Sequence, residues 1–246
     1  MTANLFFVPS VRTARSTARL TGAEHHHLRA ARVRAGDIVW LFDEEGIRIR
    51  AEIEGVTPAA TRLRILERAR PADVRLRVTL VQSVLKNKAM DDVIERAAEW
   101  GIQVVVPVFS ERTVVKLGER EDKKTERWHQ IARAAVEQCK SGRAPSIVPL
   151  RALADVLKDP PAGRKIVLSE HGGRALKDIL AGRPVPGEGE EESWVLLLGP
   201  EGGWSERELD AIAAAGFEAA SLGPQILRAG TAAVSAAAIV IHLRGL

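Results

Sequence analysis

The sequence predicts an α/β protein in two parts: a small, mostly β amino-terminal region and a larger region in which buried strands alternate with helices. Three observations carry this. Residues 37–55 read as a β-hairpin in which Ile47, Ile49, Ala51 and Ile53 alternate with Arg48, Arg50, Glu52 and Glu54, the period of two that gives one apolar and one wet face. From residue 76 onward, apolar β-rich runs are followed by helical patterns, an alternation that builds a mostly parallel sheet with helices on both sides. Between them, Arg70-Pro71-Ala72-Asp73 interrupts both patterns, which places the domains at residues 1–72 and 73–246.

Composition narrows the class. With 46% hydrophobic and 28% charged residues among 246, general disorder is excluded. The lone cysteine, Cys139, permits no intramolecular disulfide and suits a reducing compartment. The amino terminus lacks a signal-peptide pattern, and no apolar run is long enough to span a bilayer, so the expected location is cytoplasmic with no membrane partner. Residues 1–72 hold 12 arginines, no lysine and 8 acids, a surplus equal to the whole chain's net +4. Arginine pairs bidentately with phosphate and stacks on bases, so this segment favours a nucleic-acid partner; a solvated basic surface is the alternative.

In chain order, residues 5–8 read as a strand ended by Pro9, and residues 21–33 as a helix around Leu28, Ala31 and Val33. That segment carries His25, His26 and His27 with Arg29, Arg32 and Arg34. Adjacent histidines point in different directions on a helix, which disfavours a shared metal site and suits a polar, RNA-facing surface. Strands at 37–43, 47–55 and 61–68 suggest a small antiparallel barrel or sandwich. Strands follow at 76–82 and 102–109, with a helix at 87–100 between them. A long helix at 120–141 then aligns Trp128, Ile131, Ala132, Ala135, Val136 and Cys139 on one stripe, where Cys139 reads as packing. A strand at 165–170, a polar loop histidine at 171, a helix to residue 181 and a surface loop at 183–193 come next.

Residues 193–210, SWVLLLGPEGGWSERELD, then join a strand buried on both faces to a helix through a glycine turn. Ser205 and Glu208 have capping-box spacing, so a helix starts near Glu206. A last strand at 217–222 precedes a second turn, Gly223-Pro224, and a small-residue helix at 232–243. Both glycine-proline turns fall at the carboxyl edge of one sheet, where α/β proteins place ligands. No dinucleotide or triphosphate glycine motif, hydrolase elbow or spaced metal-ligand set is present in the sequence.

The segments LLLGPEGGWSERELD and LGPQILRAGTAAVSAAAIV resemble the carboxy-terminal signature of the ribosomal RNA uridine-N3 methyltransferase family, part of the SPOUT superfamily of knotted methyltransferases. EHHHLRAARVRAGDIVWLFD resembles the family's PUA-like barrel segment, VQSVLKNKAMDDVIERAAEWGI its first βα unit and RWHQIARAAVEQC its long helix. The resemblance implies a PUA-like β-barrel followed by an α/β domain with a deep trefoil knot. It also implies a homodimer that uses S-adenosyl-L-methionine to methylate N3 of a uridine in ribosomal RNA or the small ribosomal subunit, without a metal. By the same resemblance the cofactor is held by Leu198, Gly199, Glu201, Gly202, Gly203, Leu222, Gly223, Ile226, Leu227 and Arg228, with Ser169 and Glu170, and RNA meets His26, His27, Arg29, Arg32, Arg34, Lys86, Gln138 and Arg143.

Uridine N3 bears a proton on the Watson–Crick edge, so it must be unpaired and deprotonated to attack a methyl group. Arg228 is the candidate cation favouring the anion, and Glu201 the candidate proton acceptor. Where the family reads L-R-T-E-T-A, this chain has Leu227-Arg228-Ala229-Gly230-Thr231-Ala232. The competing reading is a divergent homologue that binds RNA or cofactor without this activity, or methylates another RNA site.

Overall fold

Alternating side chains set the amino-terminal sheet. In the computed structural model, which describes residues 4–70, 75–113, 121–170, 172–182, 184 and 190–245 (Arg12 and Thr13 by backbone alone), the first unit comprises residues 1–73 with 133–144. Its strands β1 (Leu5–Phe7), β2 (Thr17–Leu20), β3 (Ile38–Phe42), β4 (Arg48–Val56) and β5 (Thr61–Ala69) lie in the order β1-β3-β4-β5-β2, and helix α1 (Gly22–Ala30) follows β2. In β4, Ile49, Ala51 and Ile53 are buried while Arg50 and Glu54 are exposed, as the hairpin pattern requires.

Three features differ from expectation. β1 pairs with β3 in parallel, so the sheet is not purely antiparallel, and β2 was not anticipated because of its four residues only Leu20 is buried. The helix ends at Ala30 rather than 33: Arg32 adopts a φ of 58°, which reverses the chain and sends Val33 into the core from outside the helix.

The second unit comprises residues 74–132 and 145–246. Its elements are β6 (Leu76–Ser83), α2 (Ala89–Glu99), β7 (Val104–Phe109), the first part of α3 (Glu121–Cys139), β8 (Ser146–Ile147), β9 (Arg151–Ala152), α4 (Leu153–Lys158), β10 (Arg164–Leu168), β11 (Arg174–Ala175), α5 (Leu176–Ala181), β12 (Glu192–Leu198), α6 (Glu206–Ala214), β13 (Glu218–Ser221) and α7 (Ala229–Arg244). The strand order is β11-β13-β10-β12-β6-β7-β8, with β9 also on β7, and every pairing is parallel. The short elements β8, β9, α4 and β11 were not legible, since two to six residues are too few for a period to show.

Burial on both faces explains the unbroken apolar run of β12, in which Trp194 through Leu198 are all buried. Val195 and Leu197 pack with Val81, Val106, Val167, Leu153 and Val156 of α4 and Ile212 of α6. Helix α7 packs on β6, β12 and α2, and none of its side chains joins that cluster, which places it on the other face. The stripe expected on α3 is present: Trp128, Ala132, Ala135 and Val136 are buried, and Cys139 is half-buried against the Val136 carbonyl. Among the described residues no helix is long and apolar enough to cross a membrane, and no group of three His, Cys, Asp or Glu is placed to hold a metal.

Residues 71–73 of the expected boundary, His171, Arg183 and residues 185–189 lie outside the described residues. The loop expected to reach 193 ends earlier, because Glu192 and Ser193 already belong to β12. Glu192 is buried there and accepts from Arg244, also buried, through Nε at 2.8 Å and Nη2 at 3.0 Å, with Arg164 Nε at 3.4 Å. Replacing Arg244 with methionine strands this carboxylate in the interior. We expect a loss of about 3 kcal/mol, the low end of the range for breaking a buried pair because Arg164 remains, measured as a lower urea midpoint with an unchanged slope.

Candidate active site

Three loops at the carboxyl edge of the sheet are laced together by hydrogen bonds between side chains and backbone groups. After β12 the chain turns through Gly199–Trp204: Gly203 N–H donates to the Pro200 carbonyl at 3.0 Å, and Gly203 has a φ of 67°. Helix α6 starts where the spacing predicts, with Ser205 Oγ accepting from Glu208 N at 3.1 Å and Glu208 Oε2 accepting from Ser205 N at 2.9 Å. The other Glu208 oxygen accepts from Glu111 N at 2.7 Å, which binds the turn after β7 to this cap. That turn is closed by Ser110 N donating to Thr113 Oγ1 at 2.9 Å and Thr113 N to the Ser110 carbonyl at 3.0 Å. From it Arg112 Nη1 donates to the Gly202 carbonyl at 3.1 Å. On the third side, Glu201 Oε1 accepts from Lys86 N at 2.9 Å, and the buried Gln82 amide donates to the carbonyls of Ser83 and Gly199 at 2.9 and 3.4 Å.

These loops and the segment after β13 enclose a cavity of about 450 Å³, within the range of cofactor sites. Ser169, Glu170, Leu198, Gly199, Glu201, Gly202, Gly203, Leu222, Gly223, Ile226 and Leu227 line it, so the two glycine-proline turns do converge on one space. Arg228 does not: it is exposed at the amino-terminal cap of α7, between Leu227 and Ala229 of the lining. Sequence reasoning missed Trp204, Leu209 and, above all, Arg112. Arg112 follows a buried parallel strand at the same sheet edge, and applying the carboxyl-edge rule to β7 would have found it.

The walls suit an adenosine-bearing cation. Leu198, Leu222, Ile226, Leu227 and Trp204 supply apolar surface, Glu170 and Glu201 supply carboxylates, and the glycines leave backbone groups open to a ligand. The glycines act differently from one another. A Cβ on Gly199 would lie 3.1 Å from the Trp204 ring, whereas one on Gly203 would meet nothing within 4 Å, so the constraint at Gly203 is its positive φ and not a shortage of space. At Gly230 a Cβ would lie 3.4 Å from Val93 and 3.7 Å from Leu85, so this turn of α7 packs closely on α2.

The residues expected to meet RNA fall in several places. His26 and Arg29 are exposed on α1; Arg32 and Arg34 are exposed beyond its end; Gln138 and Arg143 are exposed at the carboxyl end of α3 and after it. Lys86 lines a second cavity of about 340 Å³ with Lys124, Arg127 and Trp128. His25 is a core residue: its Nε2–H donates to the Pro58 carbonyl at 3.2 Å, which leaves Nδ1 to accept from Thr61 Oγ1 at 2.9 Å. His27 lies edge-on to Phe6, and its Nε2 is 3.4 Å from Glu137, which also accepts from Phe7 N at 2.7 Å. Burial pushes the Glu137 carboxyl above its ordinary value, against the opposing pull of the Phe7 N–H and His27.

The fold and cavity define a class, and sequence comparison agrees: the chain belongs to the RNA methyltransferase domain family, matched over residues 72–241, with an RNA methyltransferase PUA domain matched over residues 20–61. Among relatives, it is 32% identical over 244 residues to ribosomal RNA small subunit methyltransferase E of Mycobacterium bovis, spanning 96% of this chain and 90% of that one. It is 25% identical over 230 residues to the Bacillus subtilis protein of the same name, spanning 92% and 90%. Its structure is similar to that of ribosomal RNA small subunit methyltransferase E from Neisseria gonorrhoeae bound to S-adenosyl methionine, with a TM-score of 0.86, 29% identity and 99% of each chain covered. It is also similar to a Legionella pneumophila methyltransferase in complex with bound S-adenosylmethionine, with a TM-score of 0.88, 26% identity and all of both chains covered.

Two outcomes follow from this geometry. Gly203→Ala should lower stability by about 1–2 kcal/mol through its left-handed backbone while leaving the cavity open, whereas Gly199→Ala must displace Trp204; thermal melting and tryptophan fluorescence separate the two. Because its folded value is raised, Glu137 contributes stability that is full below the ordinary 4.5 and is lost as pH rises through the folded value. Glu137→Gln should flatten that part of the stability–pH curve, read by chemical denaturation at a series of pH values.

Proposed function

We propose that this protein transfers a methyl group from S-adenosylmethionine to N3 of a uridine in small-subunit ribosomal RNA. The observation that carries the reading is the cavity on which both glycine-proline turns converge, in a chain that matches the RNA methyltransferase family along most of its length. When bound, S-adenosylmethionine supplies a methyl group on a positively charged sulfur. The chain's own part is to bind and orient. Leu222, Ile226 and Leu227 with Trp204 offer apolar walls to the adenine, and the backbone of Gly199–Gly203 and Leu222–Gly223 offers hydrogen bonds at close approach. Glu201, oriented by the Lys86 N–H, takes the N3 proton, and Arg228 acts as a cation at the rim.

In this reading residues 1–72 form an RNA-binding module and residues 73–246 the methyltransferase domain. His26, His27, Arg29, Arg32 and Arg34, with Lys86, Gln138 and Arg143, contact RNA phosphates and bases. β12 and β13 flank β10, so the chain crosses β10 between them and then returns to place α7 on β6; we propose that this double crossing carries the family's trefoil knot. The active form is a homodimer in the cytoplasm. A second reading, methylation of another RNA position or binding alone, draws support from Gly230, which brings no carboxylate to the start of α7.

The test is to incubate the protein with labelled S-adenosylmethionine and unmodified small-subunit RNA or subunits, digest, and identify the nucleoside. Label in 3-methyluridine is the expected outcome; label in another nucleoside selects the second reading, and cofactor binding without transfer sinks the enzyme reading for that substrate. Arg32→Ala should weaken RNA binding and reduce the salt slope by about one, measured by titration across ionic strengths.

A further inference from the structure

Resting on the methyltransferase reading, we propose that Arg112 is the cation that holds the target uracil as its N3 anion during transfer. Arg112 is the one cationic side chain among the described residues that line the cavity, which it shares with the carboxylates of Glu170 and Glu201. Arg228 stands outside the lining. A cation meant to act on a buried base must reach the cavity, and Arg112 is placed there.

Its placement is built from both sides. The turn that carries it is closed by Ser110 and Thr113 and tied to the cap of α6 through Glu111 N and Glu208 at 2.7 Å. Its own Nη1 donates to the Gly202 carbonyl at 3.1 Å, and among the described residues no other hydrogen-bond acceptor takes a contact from it. Guanidinium carries five N–H donors in a planar fork, so one bond to Gly202 holds the exposed group beside the glycine turn and leaves donors for a second planar partner. A uracil edge is such a partner.

The chemistry requires a charge at this point. Loss of the N3 proton spreads negative charge over N3 and the two flanking carbonyl oxygens, and a fixed guanidinium favours that form. In the balanced step the N3 proton passes to a cavity carboxylate or to water. The N3 lone pair forms the bond to the methyl carbon, and the sulfur–carbon bonding pair stays on sulfur, which becomes neutral. Arg112 remains protonated throughout.

The experiment uses the full chain as wild type, Arg112→Lys and Arg112→Gln, each checked for folding by circular dichroism. Calorimetry gives the affinity for S-adenosylmethionine, and single-turnover methylation of small-subunit RNA gives the rate as a function of pH. We expect cofactor affinity within about threefold of wild type and a rate at neutral pH lowered about 10²–10³-fold in Arg112→Gln. The rising limb of that variant's pH–rate profile should move to higher pH, with Arg112→Lys in between. An unmoved profile in active variants overturns the inference, as does a tenfold or greater loss of cofactor affinity, which would assign Arg112 to the cofactor or its loop. If wild type itself methylates no uridine, the methyltransferase reading fails and this inference with it; if wild type is active, only the variants decide.

Discussion

The Glu208 carboxylate accepts two backbone N–H groups, one from Ser205 at 2.9 Å and one from Glu111 at 2.7 Å. The first bond caps α6; the second joins loops whose residues are 97 positions apart in the chain. A cap is ordinarily a local device, worth about 0.5–2 kcal/mol to one helix. Here the same group sets the distance between the glycine turn and the turn that carries Arg112. Both walls of the cavity therefore depend on one side chain that does not itself line it.

Sequence patterns reached the elements whose cause is local. The alternation in β4, the apolar stripe of α3, the two-sided burial of β12 and the Ser205–Glu208 cap all follow from periods or spacings within a single element. Features with a remote cause were not legible. The sheet edge that carries Arg112 could be read from β7, but its contact with Gly202, 90 residues away in sequence, could not. Glu192 looked like the end of a polar loop, yet it is buried because Arg244, 52 residues on, reaches it. Within His25-His26-His27 the residue types are identical, and only the helix's orientation on the sheet decides that His25 enters the core and His26 faces solvent.

The glycine turn shows how one motif can hold three unlike constraints. Gly199 is small because an indole ring lies against it, Gly202 because Arg112 Cβ would lie 3.2 Å from an added Cβ, and Gly203 because its backbone is left-handed. Two of these are packing constraints imposed from elsewhere, and one is conformational. The motif is therefore less a uniform flexible loop than a fixed surface, which suits a site that must hold a ligand's reacting atoms in one geometry.

The strand order has a consequence for how the molecule is made. β6, among the first strands of its unit to be synthesised, lies beside β12, whose residues come more than a hundred positions later, and the face they share is covered by α7, which comes later still. The shared face of these strands therefore stays open until α7, which begins more than 140 residues after β6, has been synthesised. Pairing strands this far apart in sequence makes the assembly one of high contact order, which is intrinsically slow.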